Sequence, residues 1–239
     1  MKKHLPNFFT SMNLLAGCMA VVMVFRDHMD WAAYLIFLAA FFDLLDGLAA
    51  RILGLNSAYG KELDSLADMV SFGLVPGLII FKMLQQSDLS RLPLSDSVLG
   101  FVQFVPFIIT VFSALRLAKF NLDTRQKTTF IGLPVPANTL FIASLPMILI
   151  HEAGKYEILL LNPVVLLLLS IALSLLLISE IPLFSLKLKN LSLKDNMFQF
   201  ILLVLSAILI PIFKWTAVPL IFGLYFLLSF FSSFNSKKN

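Results

Sequence analysis

The sequence predicts an all-α fold, a polytopic transmembrane helix bundle of about eight spans with both termini in the cytoplasm. Residues 1–239 form one membrane domain in this reading. Three observations predict it. Mean hydropathy is +0.92. Of the 239 residues, 59% are hydrophobic and only 13% are charged, whereas a soluble domain carries about a quarter. The apolar residues also gather in runs near the ~20 needed to cross a bilayer as a helix. No length is left for a sizeable soluble domain, and the net charge of +4 is not a nucleic-acid signal in such a chain. The single cysteine, Cys18, excludes an intrachain disulfide.

The spans follow from apolar run length and the breaks that flank each run. The first covers 6–25 and opens at Pro6. "LLAGC" (Leu14 to Cys18), following Lys2 and Lys3, resembles a lipoprotein cleavage site, but the apolar run continues past Cys18 to Phe25, as a span does and a signal peptide does not. The next five are 31–53, 62–84, 97–118, 134–151 and 158–180. The last two, 197–213 and 215–233, are separated by Pro211 and Lys214, and one long bent element is the alternative. Alternating the loops from a cytoplasmic N-terminus places thirteen of the 18 Lys and Arg residues on the cytoplasmic side, as the positive-inside rule requires. Loop 54–61 lies on that side. His4, His28 and His151 fall near span boundaries without metal-ligand spacing and read as interfacial residues.

Four aspartates occupy the apolar stretch from Asp43 to Gly73. Asp43 and Asp46 are three residues apart on the second helix, and Asp64 and Asp68 are four apart on the third, so each pair shares a face. A short loop makes the two helices antiparallel neighbours. Asp43 lies about ten residues, ~15 Å, from the cytoplasmic end of its helix. The four acids can therefore converge in the cytoplasmic half of the bilayer, on two unbroken helices. Unpaired, they would repel and cost several kcal/mol each to bury. Divalent cations remove that cost, and oxygen ligands suit Mg²⁺, Mn²⁺ or Ca²⁺. Shared carboxylates can bridge two such ions. Gly47, Ala50 and Gly60 leave room for a ligand to approach the backbone, and Arg51 can hold a phosphate.

Asp43, Asp46, Gly47, Ala50, Arg51, Gly60, Asp64 and Asp68 stand at the spacing Asp-x₂-Asp-Gly-x₂-Ala-Arg-x₈-Gly-x₃-Asp-x₃-Asp. The chain thereby resembles the CDP-alcohol phosphotransferase family. "ELDSLADMVSFGLVP", "LPNFFTSMNLLAG", "RLAKFN" and "GLPVPAN" are similar to the bacterial-type phosphatidylserine synthases (CDP-diacylglycerol–serine O-phosphatidyltransferases) of that family. The likeness covers residues 5–140 well, and Lys119 departs from it where arginine is more usual.

The resemblance implies a membrane enzyme that moves a phosphatidyl group from CDP-diacylglycerol to L-serine, giving phosphatidylserine and CMP. Its catalytic core would be about 5–180, with 190–239 adding C-terminal transmembrane helices. The implied setting is a bacterial-type inner membrane with the site facing the cytoplasm, surrounded by membrane lipids, and the implied assembly is a homodimer. Two ions, Mg²⁺ or Mn²⁺, would sit on Asp43, Asp46, Asp64 and Asp68. Asp68, as the least engaged of the four, would be the general base for the serine hydroxyl. Asn7, Thr10, Gly47, Ala50, Arg51 and Gly60 would line the donor nucleotide site. Arg116 and Lys119, one turn apart, would meet the serine carboxylate, with Ser71 and Asn121 shaping the acceptor pocket. Arg125 and Lys127 read as plain positive-inside charges, and Glu180 as a partner of Lys187 or Lys189. Another acceptor (glycerol 3-phosphate, inositol phosphate or inositol) is the alternative within the class. A divalent-cation transporter is the alternative outside it.

Overall fold

The computed structural model describes residues 4–55, 57–122, 130–152, 154–184 and 196–236. These residues form an all-α bundle. In chain order the helices are α1 (Leu5–Phe25), α2 (Met29–Ile52), α3 (Ala58–Asp68), a π-helical stretch (Met69–Leu74) and α4 (Val75–Gln86). Then come α5 (Asp96–Val102), α6 (Ile108–Leu122), α7 (Val135–His151), the single turn α8 (Glu157–Leu160), α9 (Pro163–Ile178), α10 (Met197–Phe213) and α11 (Ala217–Ser236). A two-residue ribbon pairs β1 (Phe130–Ile131) with β2 (Pro182–Leu183) antiparallel, Phe130 opposite Leu183.

Each expected apolar run is helical in its described part, with local differences. The fourth is interrupted at Val105–Phe107, where Pro106 removes a backbone donor. The main helix of the sixth begins at Pro163, capped by Asn162, whose side chain accepts from the Val164 and Val165 N–H groups. Five helical stretches are long and apolar enough to cross a membrane: 5–25, 29–52, 58–86, 97–122 and 197–232; α7 and α9 are apolar but shorter. The stretch 197–232 is not straight. Phe198 and Tyr225 both reach the Phe184 ring, at 6.2 and 5.0 Å between centroids. In a continuous helix their separation of about 27 residues would hold them ~40 Å apart. The chain turns back at Lys214–Thr216, where Lys214 has φ +48°.

Helices α1 and α2 pack as a hairpin through small side chains, Ala16 and Ala20 on one and Ala32, Ala33 and Ala39 on the other, all buried. Small residues let backbones approach where lipid supplies no hydrophobic drive. Helix α4 is the centre of the bundle, in contact with α1, α6, α7 and α9, with Ile79, Ile80, Met83 and Leu84 fully enclosed. The outward faces of α1, α2, α10 and α11 expose large apolar side chains such as Phe41, Leu44, Leu203 and Phe231, the surface expected against acyl chains.

Candidate active site

The returning helix is continuous from α3 to α4 but not regular. Immediately after Asp68 it widens into the six-residue π stretch, a correction to the expectation of unbroken helices. Two cross-helix bonds hold it. The Ser71 hydroxyl donates to the Asn13 carbonyl on α1 at 2.9 Å. The Thr139 hydroxyl on α7 donates to the Phe72 carbonyl at 2.7 Å and shares its proton with its own helix at Val135, 3.0 Å. Alpha-helical bonding is relaxed there, and the Phe72 carbonyl finds its donor on a neighbouring helix.

Just before the widened stretch, three acids come together. One carboxylate oxygen from each of Asp43, Asp64 and Asp68 lies within 4.8 Å of the others. At an effective dielectric of ~20, two full charges at that distance repel by ~3 kcal/mol, so three ionised pairs would cost ~10 kcal/mol. That rivals the whole stability of a domain, ~5–15 kcal/mol, so the three cannot all be ionised without a countercharge. The residue set apart from the trio is Asp46, not Asp68. Asp68 is 7% exposed and accepts from the Asn13 side-chain amide at 3.0 Å. Asp46 accepts from the Thr10 hydroxyl at 2.8 Å, and Thr10 also reaches the Pro6 carbonyl at 3.1 Å.

Beside the acids opens a cavity of about 790 Å³. Asn7, Thr10, Asp46, Gly47, Ala50, Gly60 and Asp64 line it, with Lys61 and Ser57 at the loop end. A side chain at Gly47 would meet nothing within 4 Å, so α2 presents bare backbone there. At Gly60 an added Cβ would fall 2.8 Å from the Ser57 oxygen and 3.3 Å from the Asn7 oxygen, closing the gap between α1 and α3. The Ser57 side chain caps α3 by accepting from the Gly60 N–H at 2.9 Å.

The remaining candidates fall elsewhere. Arg51 is exposed on the last turn of α2 and is not part of the cavity wall. Ser71 is fully buried and engaged with α1. Asn121 ties the end of α6 to α3: its amide donates to the Ser65 hydroxyl at 2.8 Å, and its carbonyl accepts from Lys61 Nζ at 2.7 Å. Lys119 pairs with Glu180 at 3.5 Å, so Glu180 has a partner on α6; Lys187 and Lys189, like Arg125 and Lys127, lie outside the described residues. Arg116 is 3% exposed, with its guanidinium carbon 5.4 Å from the Phe120 ring centroid. Asn13 is the residue that sequence reasoning passed over. Its signal was available: Asn7, Thr10 and Asn13 recur every third position on an apolar helix, which sets them along one face.

Fold and site together define a polytopic membrane protein with a carboxylate centre between its helices, beside a cavity of mixed polar and apolar lining. The chain belongs to the CDP-alcohol phosphatidyltransferase family, whose pattern matches residues 3–184. Its similar relatives include proteins named CDP-diacylglycerol–serine O-phosphatidyltransferase. That of Bacillus subtilis is 34% identical over 133 residues, covering 56% of this chain and 70% of the relative. That of Helicobacter pylori is 32% identical over 139 residues, 57% and 54%. That of Methanocaldococcus jannaschii is 33% identical over 138 residues, 58% of each. The chain thus spans about half to two thirds of the length of these relatives.

Proposed function

We propose that this protein transfers a phosphatidyl group from CDP-diacylglycerol to the hydroxyl of L-serine, forming phosphatidylserine and CMP. One observation carries the reading: three carboxylates converge within 4.8 Å beside a cavity of about 790 Å³, in a chain of this family. The names of the relatives support serine as acceptor. Eight crossings with both termini cytoplasmic, an inner-membrane location and a homodimeric assembly complete the proposal.

The donor set fits a hard divalent cation, because all three ligand atoms are carboxylate oxygens drawn from two helices held by buried bonds. Asp43, Asp64 and Asp68 would hold Mg²⁺ or Mn²⁺, with Asp46 available to a second ion. When bound, such ions offset charge on the donor pyrophosphate. The chain's own groups do the rest. Gly47 and Gly60 leave space for the cytidine beside Asn7, Thr10 and Ala50, with Arg51 at the cytoplasmic rim. Thr10 fixes the Asp46 carboxylate, and Asn13 fixes one oxygen of Asp68. The other oxygen of Asp68 accepts the serine hydroxyl proton as the serine oxygen bonds to the lipid-side phosphorus. The bond from that phosphorus to the CMP oxygen breaks, and CMP leaves with the electron pair. Arg116 is the cation assigned to the serine carboxylate. Lys119, held by Glu180, plays a lesser part in this scheme.

The test is purified full-length protein with Mg²⁺ or Mn²⁺, CDP-diacylglycerol and each candidate alcohol in turn. CMP release that requires serine supports the proposal. Release only with glycerol 3-phosphate or an inositol would change the acceptor. Metal flux into proteoliposomes without any CMP release would replace the enzyme by a transporter.

A further inference from the structure

We propose that the opposite end of the bundle holds a second site, one that binds the phosphodiester of an anionic phospholipid. A cavity of about 270 Å³ opens there between the end of α7 and the turn joining α10 to α11. Lys155 and Lys214 bring two ammonium groups to it, and Tyr156 brings a hydroxyl. Ile212 and Phe213 complete its wall and are 64% and 43% exposed. The lining therefore passes from exposed hydrocarbon to paired cations over a few residues. That is the polarity profile of a phospholipid where acyl chains meet the phosphodiester, and a free anion has no use for the apolar half.

The cavity's depth in the membrane agrees. Trp215 packs against Tyr34 and Phe37 of α2, at 5.9 and 5.6 Å, and His151 stacks near Trp215 at 6.0 Å. Trp31 adjoins Tyr34. Both tryptophans of the chain stand in this one girdle, the arrangement typical of the headgroup level. Tyr34 precedes Asp46 on α2 by about 12 residues, or ~18 Å, so this site is separate from the carboxylate centre.

The charges leave an anion to be bound. Glu152 is the cavity's one acid, and its demands are met: it accepts from the Thr216 hydroxyl and pairs with Lys155 at 3.5 Å. Among the described residues Lys214 makes no ion pair. One positive charge is left over, carried at an exposed position. Lys214 also holds φ +48°, a backbone region that favours glycine. A lysine kept where glycine would be relaxed points to a use for its ammonium group. Residues 212–216 lie outside the family-matched segment 3–184, so half of this cavity is built from an element beyond the shared core. The inference stands whether or not the proposed activity holds.

The experiment is native mass spectrometry of the full chain released from detergent, titrated with phosphatidylglycerol, phosphatidylcholine or inorganic phosphate. Phosphatidylglycerol should be retained over phosphatidylcholine. Lys155→Gln and Lys214→Gly should each weaken that retention about fivefold, the usual effect of one basic residue at an anionic surface. Lys214→Gly relieves the backbone and should fold at least as stably as the parent, so its loss of lipid cannot be laid to unfolding. Unchanged phosphatidylglycerol retention in the double variant would overturn the proposal. So would equal retention of phosphatidylcholine, or displacement of the lipid by inorganic phosphate at equal concentration.

Discussion

Adding one methyl group at Gly17 tests whether the carboxylate centre depends on the contact between α1 and the π stretch. A Cβ built there would press on the Ser71 hydroxyl oxygen and lie 2.8 Å from Ser71 Cα and 2.9 Å from its Cβ. Carbon atoms pack comfortably at ~3.5–4.0 Å. The Ser71 hydroxyl can rotate away, but its Cα belongs to the backbone, so Gly17→Ala must drive the two helices apart by ~0.7 Å or more. The Ser71–Asn13 bond, now 2.9 Å, then stretches beyond useful length. Overpacking costs ~1–3 kcal/mol and the lost bond ~1 kcal/mol, a destabilisation of ~2–4 kcal/mol. The same displacement draws the Asn13 amide off Asp68, 3.0 Å away, and a misplacement of ~1 Å at a reacting group can cost ~100-fold in rate. Thermal denaturation in detergent reads the first effect and CMP release the second. Ser71→Ala is the control: it removes the hydrogen bond without the clash and should cost only ~1 kcal/mol. Gly17→Ala with parental melting temperature and turnover would refute the argument that this contact sets the site.

Four further outcomes follow from the same geometry. Asn13→Ala leaves one Asp68 oxygen without its amide and should lower turnover ~10-fold or more with little change in donor binding, measured as a kcat effect against an unchanged KM. Asp68→Asn should abolish CMP release while CDP-diacylglycerol still binds; retained turnover would remove Asp68 from the base role. Chelation by EDTA should stop CMP release, and added Mg²⁺ or Mn²⁺ should restore it. At the far end, the Thr216 bond, with Lys155 adding to it, holds the Glu152 carboxyl below its ordinary value of 4.5. A group depressed on folding stabilises the fold above its unfolded pKa and loses that contribution as pH falls through the folded value. Thr216→Val should therefore flatten the acid limb of the melting curve below pH ~4.5, read by denaturation at stepped pH.

The sequence alone determined the solvent and the chemistry. A chain with 59% hydrophobic residues in long runs belongs in lipid, and acids three and four residues apart on a helix must share a face. Both follow from composition and helical period, which are local properties. The tertiary structure decided which faces meet. It made Asp43, Asp64 and Asp68 the trio and left Asp46 to Thr10, an outcome set by how α2 and α3 are rotated against each other and against α1. It engaged Ser71 with α1 and Asn121 with α3, two residues whose polarity alone reads as ligand binding. It gave Asp68 a partner, Asn13, about 55 residues away on a helix that contributes no acid of its own. It also chose between the two readings of the last apolar stretch, two spans or one bent element, by folding the chain back at Lys214. Covalent geometry fixes the spacing of side chains along one helix, but their neighbours across helices depend on how every element packs at once, and no single segment carries that information.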